Sequence, residues 1–193
     1  EVERVGHDGT CFELTTGSGV VRAAHLLVAT GRRPHLDDVG LETVGLDPTA
    51  STVEVDEHCR AAERLWAVGD VTGHGAYTHM SLYQGRVAVH DILEQDGPPA
   101  TYHAVSRVTF TDPEVAGVGL TEAQAREQGI AVVTGTADID SSPRGWIDEA
   151  TGVVKVVADA GSGVVVGASV VAPYGGEVLG LLSTAVHARL TVP

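Results

Sequence analysis

The sequence predicts a mixed fold, an α/β region up to residue 97 followed by an α+β region in which an antiparallel sheet carries helices packed on one face. Three observations lead there. Two apolar runs, Leu26-Leu27-Val28-Ala29 and Leu65-Trp66-Ala67-Val68, each close on a glycine, Gly31 and Gly69, as buried strands do when they deliver backbone to a crevice. A periodic segment from about residue 77 to residue 93 reads as a helix. Beyond Asp96-Gly97-Pro98-Pro99, the clearest linker in the chain, valine-rich runs alternate with turn signals and short helical patterns.

Composition narrows the function classes. A chain of 193 residues with a hydrophobic share of 43% can bury a full core. A net charge of −14 argues against a nucleic-acid partner, which needs a basic surface to neutralise phosphates. The longest uncharged apolar run, around residues 164–172, is too short for a membrane span and is broken by Gly167. No secretory leader is visible, and the two cysteines, Cys11 and Cys59, are too far apart for a CxxC or CxxxxC pair. They read as small core or surface thiols in a reducing cytoplasm, with an incidental disulfide left open.

In order, residues 1–28 alternate short apolar runs with His7-Asp8-Gly9 and Gly17-Ser18-Gly19, which predicts two or three antiparallel strands joined by tight turns. The run at residues 25–28 is expected to be a buried strand ending at Thr30-Gly31, where backbone meets a ligand. Arg32 and Arg33 follow before Pro34, as a solvated linker face or as cofactor contacts. Residues 36–46 hold a short helical pattern closed by Gly45, and Val53-Glu54-Val55-Asp56 alternates as a strand should.

The central stretch is Leu65-Trp66-Ala67-Val68-Gly69-Asp70, with Ala76-Tyr77-Thr78-His79 after it. Asp70 is expected at the carboxyl end of a buried strand, an acceptor suited to a sugar-like hydroxyl. The helix start beyond it offers free backbone N–H groups to an anionic oxygen. The plainer alternative is that Asp70 caps a turn and the helix start faces water. Gly85 inside that helix costs about 1 kcal/mol relative to alanine and suggests close packing. His74, His79 and Asp70 lack the spacing of a metal site, so none is expected.

Past the linker, strands are expected at residues 105–110 and 116–120 around Thr111-Asp112-Pro113-Glu114. Thr121 caps a helix that stops before Gly129. Further strands near residue 132, at 153–157 and at 164–171 precede a closing helix from about residue 176 to 189. Trp146 is expected in the core, and His187 as a packed or solvated histidine.

Several of these segments resemble the pyridine nucleotide-disulfide oxidoreductases, the flavoproteins that include dihydrolipoamide dehydrogenase and mercuric reductase. Ala29-Thr30-Gly31-Arg32-Arg33-Pro34 is similar to the family's ATGRRPN segment, with His35 for asparagine. Gly40-Leu41-Glu42, residues 53–56 and Gly69-Asp70 follow in the family's order, and residues 110–122 resemble the opening of its interface domain. The resemblance implies a C-terminal fragment in three parts. Residues 1–30 would be a remnant of the NAD(P)-binding domain, 31–97 the second segment of the FAD-binding domain, and 98–193 a truncated dimerisation domain. It implies FAD and NAD(P) as cofactors, Asp70 on the ribityl hydroxyls beside Gly69, and the amides of Ala76, Tyr77, Thr78 and His79 near the isoalloxazine. It also implies Gly31 near the nicotinamide, and no catalytic side chain.

The family's glycine-rich nucleotide motifs, redox disulfide and distal His-Glu pair are absent from these residues. The expected parent is therefore an FAD-dependent NAD(P)H oxidoreductase passing hydride to flavin and on to a small-molecule or disulfide acceptor. It is expected to be a cytoplasmic homodimer through residues 98–193. The alternative is that the isolated piece is a dimerisation and interaction module without catalytic competence.

Overall fold

The computed structural model describes residues 1–192, and the chain divides into two compact units, Glu1–His35 and Leu36–Pro193.

The first unit is a three-stranded antiparallel sheet in the order β1-β2-β3, with β1 at Val2–His7, β2 at Phe12–Thr16 and β3 at Gly19–Ala23. Its turns form where the sequence placed them. At the first, Asp8 Oδ1 accepts the N–H groups of Thr10 and Cys11 at 2.8 and 2.9 Å, which holds the Asp8 carboxyl below its ordinary range. The expected buried strand at residues 25–28 does not form. The chain there runs without regular structure, with Leu27 88% and Val28 72% exposed. The unit's sheet ends at Ala23, so this run has no neighbouring strand to complete its backbone bonds.

In the second unit, the helical pattern expected over residues 36–46 forms only as a 3-10 turn at Leu41–Val44 that closes on Gly45. The alternating run at residues 53–56 is extended but belongs to no sheet. Val53 N–H bonds the carbonyl of Val71 at 2.8 Å and Asp56 N–H that of Arg60 at 3.0 Å. The strand expected at residues 65–68 is also shorter than its apolar pattern. Only β5, Leu65–Trp66, pairs, and it does so antiparallel with β4, Arg60–Ala62. Ala67 N–H still bonds the Cys59 carbonyl at 3.0 Å, in register with that pairing, before Gly69 turns the chain into a 3-10 turn, Gly69–Thr72. Helix α1, Thr78–Ile92, follows and matches its periodic segment to within a residue at each end. It buries Met80, Gln84, Val87 and Ala88, and the last two pack with Cys59 and Trp66.

The remainder is a five-stranded antiparallel sheet in the order β6-β7-β10-β9-β8. Its strands are β6 at Ser106–Thr109, β7 at Glu114–Gly119, β8 at Val132–Asp138, β9 at Val153–Asp159 and β10 at Val165–Ala172. Helix α4, Gly175–His187, lies against β7 and β10 and seals a core of Ala116, Val118, Ala168, Val170, Leu179 and Val186.

The strand period puts Val154 and Val156 in that core and turns Lys155 and Val157 to the other side. There Lys155 Nζ meets Glu122 Oε2 at 2.5 Å. Helix α2, Glu122–Glu127, therefore engages the face opposite α4, and the helices are not confined to one face. Its start carries the full capping box, Thr121 with Gln124. Helix α3, Pro143–Ile147, capped by the Ser142 hydroxyl with proline at its start, corrects the expectation for Trp146. That short turn holds the indole outward, 78% exposed, rather than in the core.

Leu179 and Leu181 share α4 but not an environment, the first being buried and the second 78% exposed. Leu179→Ala is expected to cost about 2–5 kcal/mol, and Leu181→Ala within about 0.5 kcal/mol of nothing. Thermal unfolding of the two variants side by side checks this, and equal losses would refute the packing described.

Candidate functional site

The geometry around Asp70 is set by a side chain that the sequence reading did not single out. Gln84 sits mid-helix in α1 and is 0% exposed. Its Oε1 accepts the N–H of Gly69 at 2.6 Å, and its Nε2 donates to Thr72 Oγ1 at 2.9 Å and to Tyr102 Oη at 3.1 Å. The Thr72 hydroxyl donates in turn to the Gly69 carbonyl at 2.9 Å. The turn bearing Asp70 is thereby fastened to α1 through polar groups that burial would otherwise leave unpaired.

Gly69 fits this arrangement for two reasons. Its φ of 82° is left-handed, and a Cβ there would fall 2.7 Å from Ser81 Oγ of the helix. The helix and the turn are in direct contact at this point. Asp70 itself is exposed, within the 3-10 turn rather than at a strand end.

Across from the turn, α1 begins without a side-chain cap. Tyr77 N–H bonds Gly75 O at 3.0 Å and Met80 N–H bonds Tyr77 O at 2.9 Å, while the N–H groups of Ala76, Thr78 and His79 have no acceptor among the described residues. Tyr77 stacks on His79, ring centroids 5.4 Å apart, which shapes the rim without occupying those donors. An exposed carboxylate on a turn held to α1 can accept from hydroxyl groups, and the open N–H groups at the start of that helix can donate to an anionic oxygen.

The other end of α1 is anchored as well. Asp91 Oδ2 accepts Nη2 of Arg60 at 2.6 Å and Nε1 of Trp66 at 2.7 Å, both from the β4–β5 hairpin. Arg60 first, and then the Trp66 N–H, hold the Asp91 carboxyl below its ordinary range. These partners offset the unfavourable placement of a carboxylate at a helix carboxyl end.

Tyr102 is enclosed by the edge of Tyr83 at 6.5 Å and the face of His74 at 3.7 Å, and burial pushes its hydroxyl pKa up. Cys59, fully buried nearby, is likewise raised by burial, and both cysteines are free thiols.

Of the residues picked from sequence, Gly69 and Asp70 lie on the turn held to α1 at Ser81 and Gln84, and Ala76, Tyr77, Thr78 and His79 lead into or open that helix. Gly31 lies in the other compact unit, exposed, with φ at 85°. His187 is exposed, stacked on His103 at 5.7 Å, with His103 Nε2 3.3 Å from its carbonyl oxygen. Gln84 could have been found. It falls four residues from Met80 and from Ala88, so it interrupts the apolar stripe of α1 with a polar group. No helix among the described residues is long and apolar enough to cross a membrane.

Residues 1–107 match the family model described as pyridine nucleotide-disulphide oxidoreductase, and residues 105–193 match that family's dimerisation domain. A mercuric reductase from Streptomyces lividans is 40% identical over 179 residues, covering 91% of this chain and 38% of the relative. A dihydrolipoyl dehydrogenase from Geobacillus stearothermophilus is 32% identical over 185 residues, covering 93% of this chain and 39% of the relative. Among solved structures, LpdA from Mycobacterium tuberculosis is similar with a TM-score of 0.82 at 29% identity, over 99% of this chain and 42% of that one. The HOCl-induced flavoprotein disulfide reductase RclA from Escherichia coli is similar with a TM-score of 0.79 at 28% identity, over 99% and 45%. The chain spans well under half the length of the curated relatives it matches.

The depressed Asp91 carboxyl gives a pH test. A carboxyl held low in the folded state adds stability above its unfolded pKa, about 3.9, and loses it as pH falls through the folded value. Asp91→Asn is expected to melt below the native chain at neutral pH, with the gap closing as pH drops under about 4. A gap that stays constant across that range would show that the pair contributes nothing through its charge.

Proposed function

The chain belongs to the pyridine nucleotide-disulphide oxidoreductases, and from that membership we propose that it is the later part of an FAD-dependent NAD(P)H oxidoreductase. One observation carries the reading. An exposed Asp70 stands on a turn held to α1 at Ser81 and Gln84, and the same helix starts with uncapped N–H groups. The pairing suits FAD, whose ribityl chain offers hydroxyl donors and whose pyrimidine edge offers an oxygen that gains negative charge.

When bound, FAD supplies acceptance of hydride from a nicotinamide and delivery of electrons to a disulfide or small-molecule acceptor. In this reading Asp70 accepts hydrogen bonds from ribityl hydroxyls beside Gly69, and the N–H groups of Ala76, Tyr77, Thr78 and His79 face the isoalloxazine edge and stabilise charge there. Tyr77 N–H also bonds Gly75 O at 3.0 Å, so it would contribute as a shared donor. His79 needs no proton transfer for this role, and no side chain of the chain is assigned a catalytic one. Gly31, left-handed at φ 85°, would approach the nicotinamide in this reading.

We divide the chain for this purpose into residues 1–30 from the NAD(P)-binding domain, 31–97 from the FAD-binding domain and 98–193 for dimerisation. The match of residues 105–193 to the dimerisation domain supports a homodimer, as do the exposed apolar side chains Phe110 and Tyr174 on that segment. Two free thiols support a reducing, cytoplasmic setting. The sequence holds no G-x-G-x-x-G motif, which favours a second reading for these residues in isolation, a dimerisation module with the crevice half built.

The natural full-length protein carrying this chain is expected to purify with the visible absorption of oxidised flavin, bleached anaerobically by NADH or NADPH. A preparation that neither contains nor takes up flavin would end the proposal. Asp70→Ala is expected to raise the FAD dissociation constant about ten- to a hundredfold, the loss of about 1.5–3 kcal/mol of charged hydrogen bonding. Because Asp70 is exposed, the same change should leave the flavin-free protein's melting temperature nearly unmoved. Analytical ultracentrifugation is expected to report a dimer at micromolar concentration, and a monomer there would remove the assignment of residues 98–193 to self-association.

A further inference from the structure

Gln84 uses every hydrogen it can donate. Both of its amide protons are spent, on Thr72 Oγ1 and Tyr102 Oη, and its oxygen takes the Gly69 N–H. Because Thr72 passes its own hydroxyl proton to the Gly69 carbonyl, both backbone polar groups of Gly69 close on the same side chain, one directly and one through a single hydroxyl. The amide is fully buried, so water does not compete for these bonds. A ring of this kind leaves Gly69, and Asp70 after it, one position relative to the helix.

Gln84 stands less than two turns along α1 from Thr78 and His79. The same rigid element thus bears the open N–H donors and the group that fixes the carboxylate. Beyond Gln84 the network reaches Tyr102, which follows the Pro98-Pro99 linker and so belongs to the segment that leads into the five-stranded sheet.

We propose that Gln84 is the positioning residue of the cofactor crevice: it sets the place of the Asp70 carboxylate against the α1 donors, and Tyr102 braces it from the dimerisation segment. This inference rests on the flavin reading above for the identity of the ligand, and on the hydrogen-bond ring alone for the position of the turn. Gln84 touches no cofactor in this scheme, and its effect passes entirely through Gly69 and Asp70.

The test compares Gln84→Met, which keeps the side-chain length and deletes all three bonds, with Tyr102→Phe, which removes a single hydroxyl and keeps the ring. Amide hydrogen exchange at Gly69 and FAD titration are read for both, and Gln84→Met is combined with Asp70→Ala. The Gly69 amide is expected to exchange at least about tenfold faster in Gln84→Met, and FAD to bind about tenfold more weakly. Tyr102→Phe should shift both in the same direction by about two- to fivefold.

Asp70→Ala should cost less than about threefold once Gln84 is gone, because a mispositioned carboxylate has little left to lose. General destabilisation would leave the Asp70 penalty at full size. Unchanged exchange at Gly69, FAD binding within about twofold of native in Gln84→Met, or strictly additive penalties would each overturn the proposal. A native protein with a protected Gly69 amide that takes up no FAD would overturn the flavin reading, and with it the role of Gln84 toward the cofactor. FAD uptake indifferent to Gln84→Met would overturn the role of Gln84 alone.

Discussion

A carboxamide with no access to water is the constraint on which the crevice depends. Desolvating Gln84 without partners would cost several kcal/mol, so the turn at Gly69–Thr72 and the ring of Tyr102 are held where they satisfy it. The polar group inside decides where the polar group outside, Asp70, will stand.

The helix can serve as a reference because both of its ends are fixed differently. Near its carboxyl end Asp91 is clamped by Arg60 and Trp66, while its amino end is left uncapped and open. Between them the Cys59, Val87 and Ala88 cluster provides the apolar contact that keeps α1 on the β4–β5 hairpin. The hairpin therefore feeds the chain into Gly69 from a place already locked to the helix. A helix with unbonded first-turn N–H groups gives up capping energy of about 1 kcal/mol, and that cost is what a ligand oxygen can recover.

What the sequence disclosed and what it hid follow from the range of the interactions involved. Helix α1, helix α2 with its capping box, the tight turns of the first sheet and the antiparallel strands after the linker are written in local periodicity and cap chemistry, and each forms within a few residues of its expected place. The candidate site at Gly69, Asp70 and 76–79 is proposed from the same local signals, and Asp70 stands in a 3-10 turn rather than at a strand end. The misjudged elements are those whose apolar runs imply burial without saying against what. Residues 25–28 and 65–68 have the composition of central strands, yet the first lacks a pairing neighbour among the described residues and the second ends where Gly69 turns the chain and gives its N–H to Gln84. Trp146 was misplaced because a short capped turn, invisible to a hydrophobicity argument, points it outward. Gln84 was hidden by its surroundings, since a single polar residue on an apolar stripe reads as a blemish until its partners are seen.

The linker shows how composition and structure can disagree about stiffness. Asp96-Gly97-Pro98-Pro99 reads as a break, and no regular element occupies it. The residues immediately after it are nevertheless tied on both sides. Ala100 N–H bonds Glu57 O at 2.7 Å, Thr101 N–H bonds Tyr83 Oη at 2.8 Å, Tyr102 receives Gln84 Nε2, and His103 lies against the end of α4. Four successive residues thus join α1 and its neighbours to α4 through directional bonds, with Ala100 also packed against the Cys59, Val87 and Ala88 cluster. Such a joint resists sliding more than separation, because each bond loses its energy with small changes of angle and distance. The same bonds hold the segment after the linker to α1, the helix on which the candidate site stands.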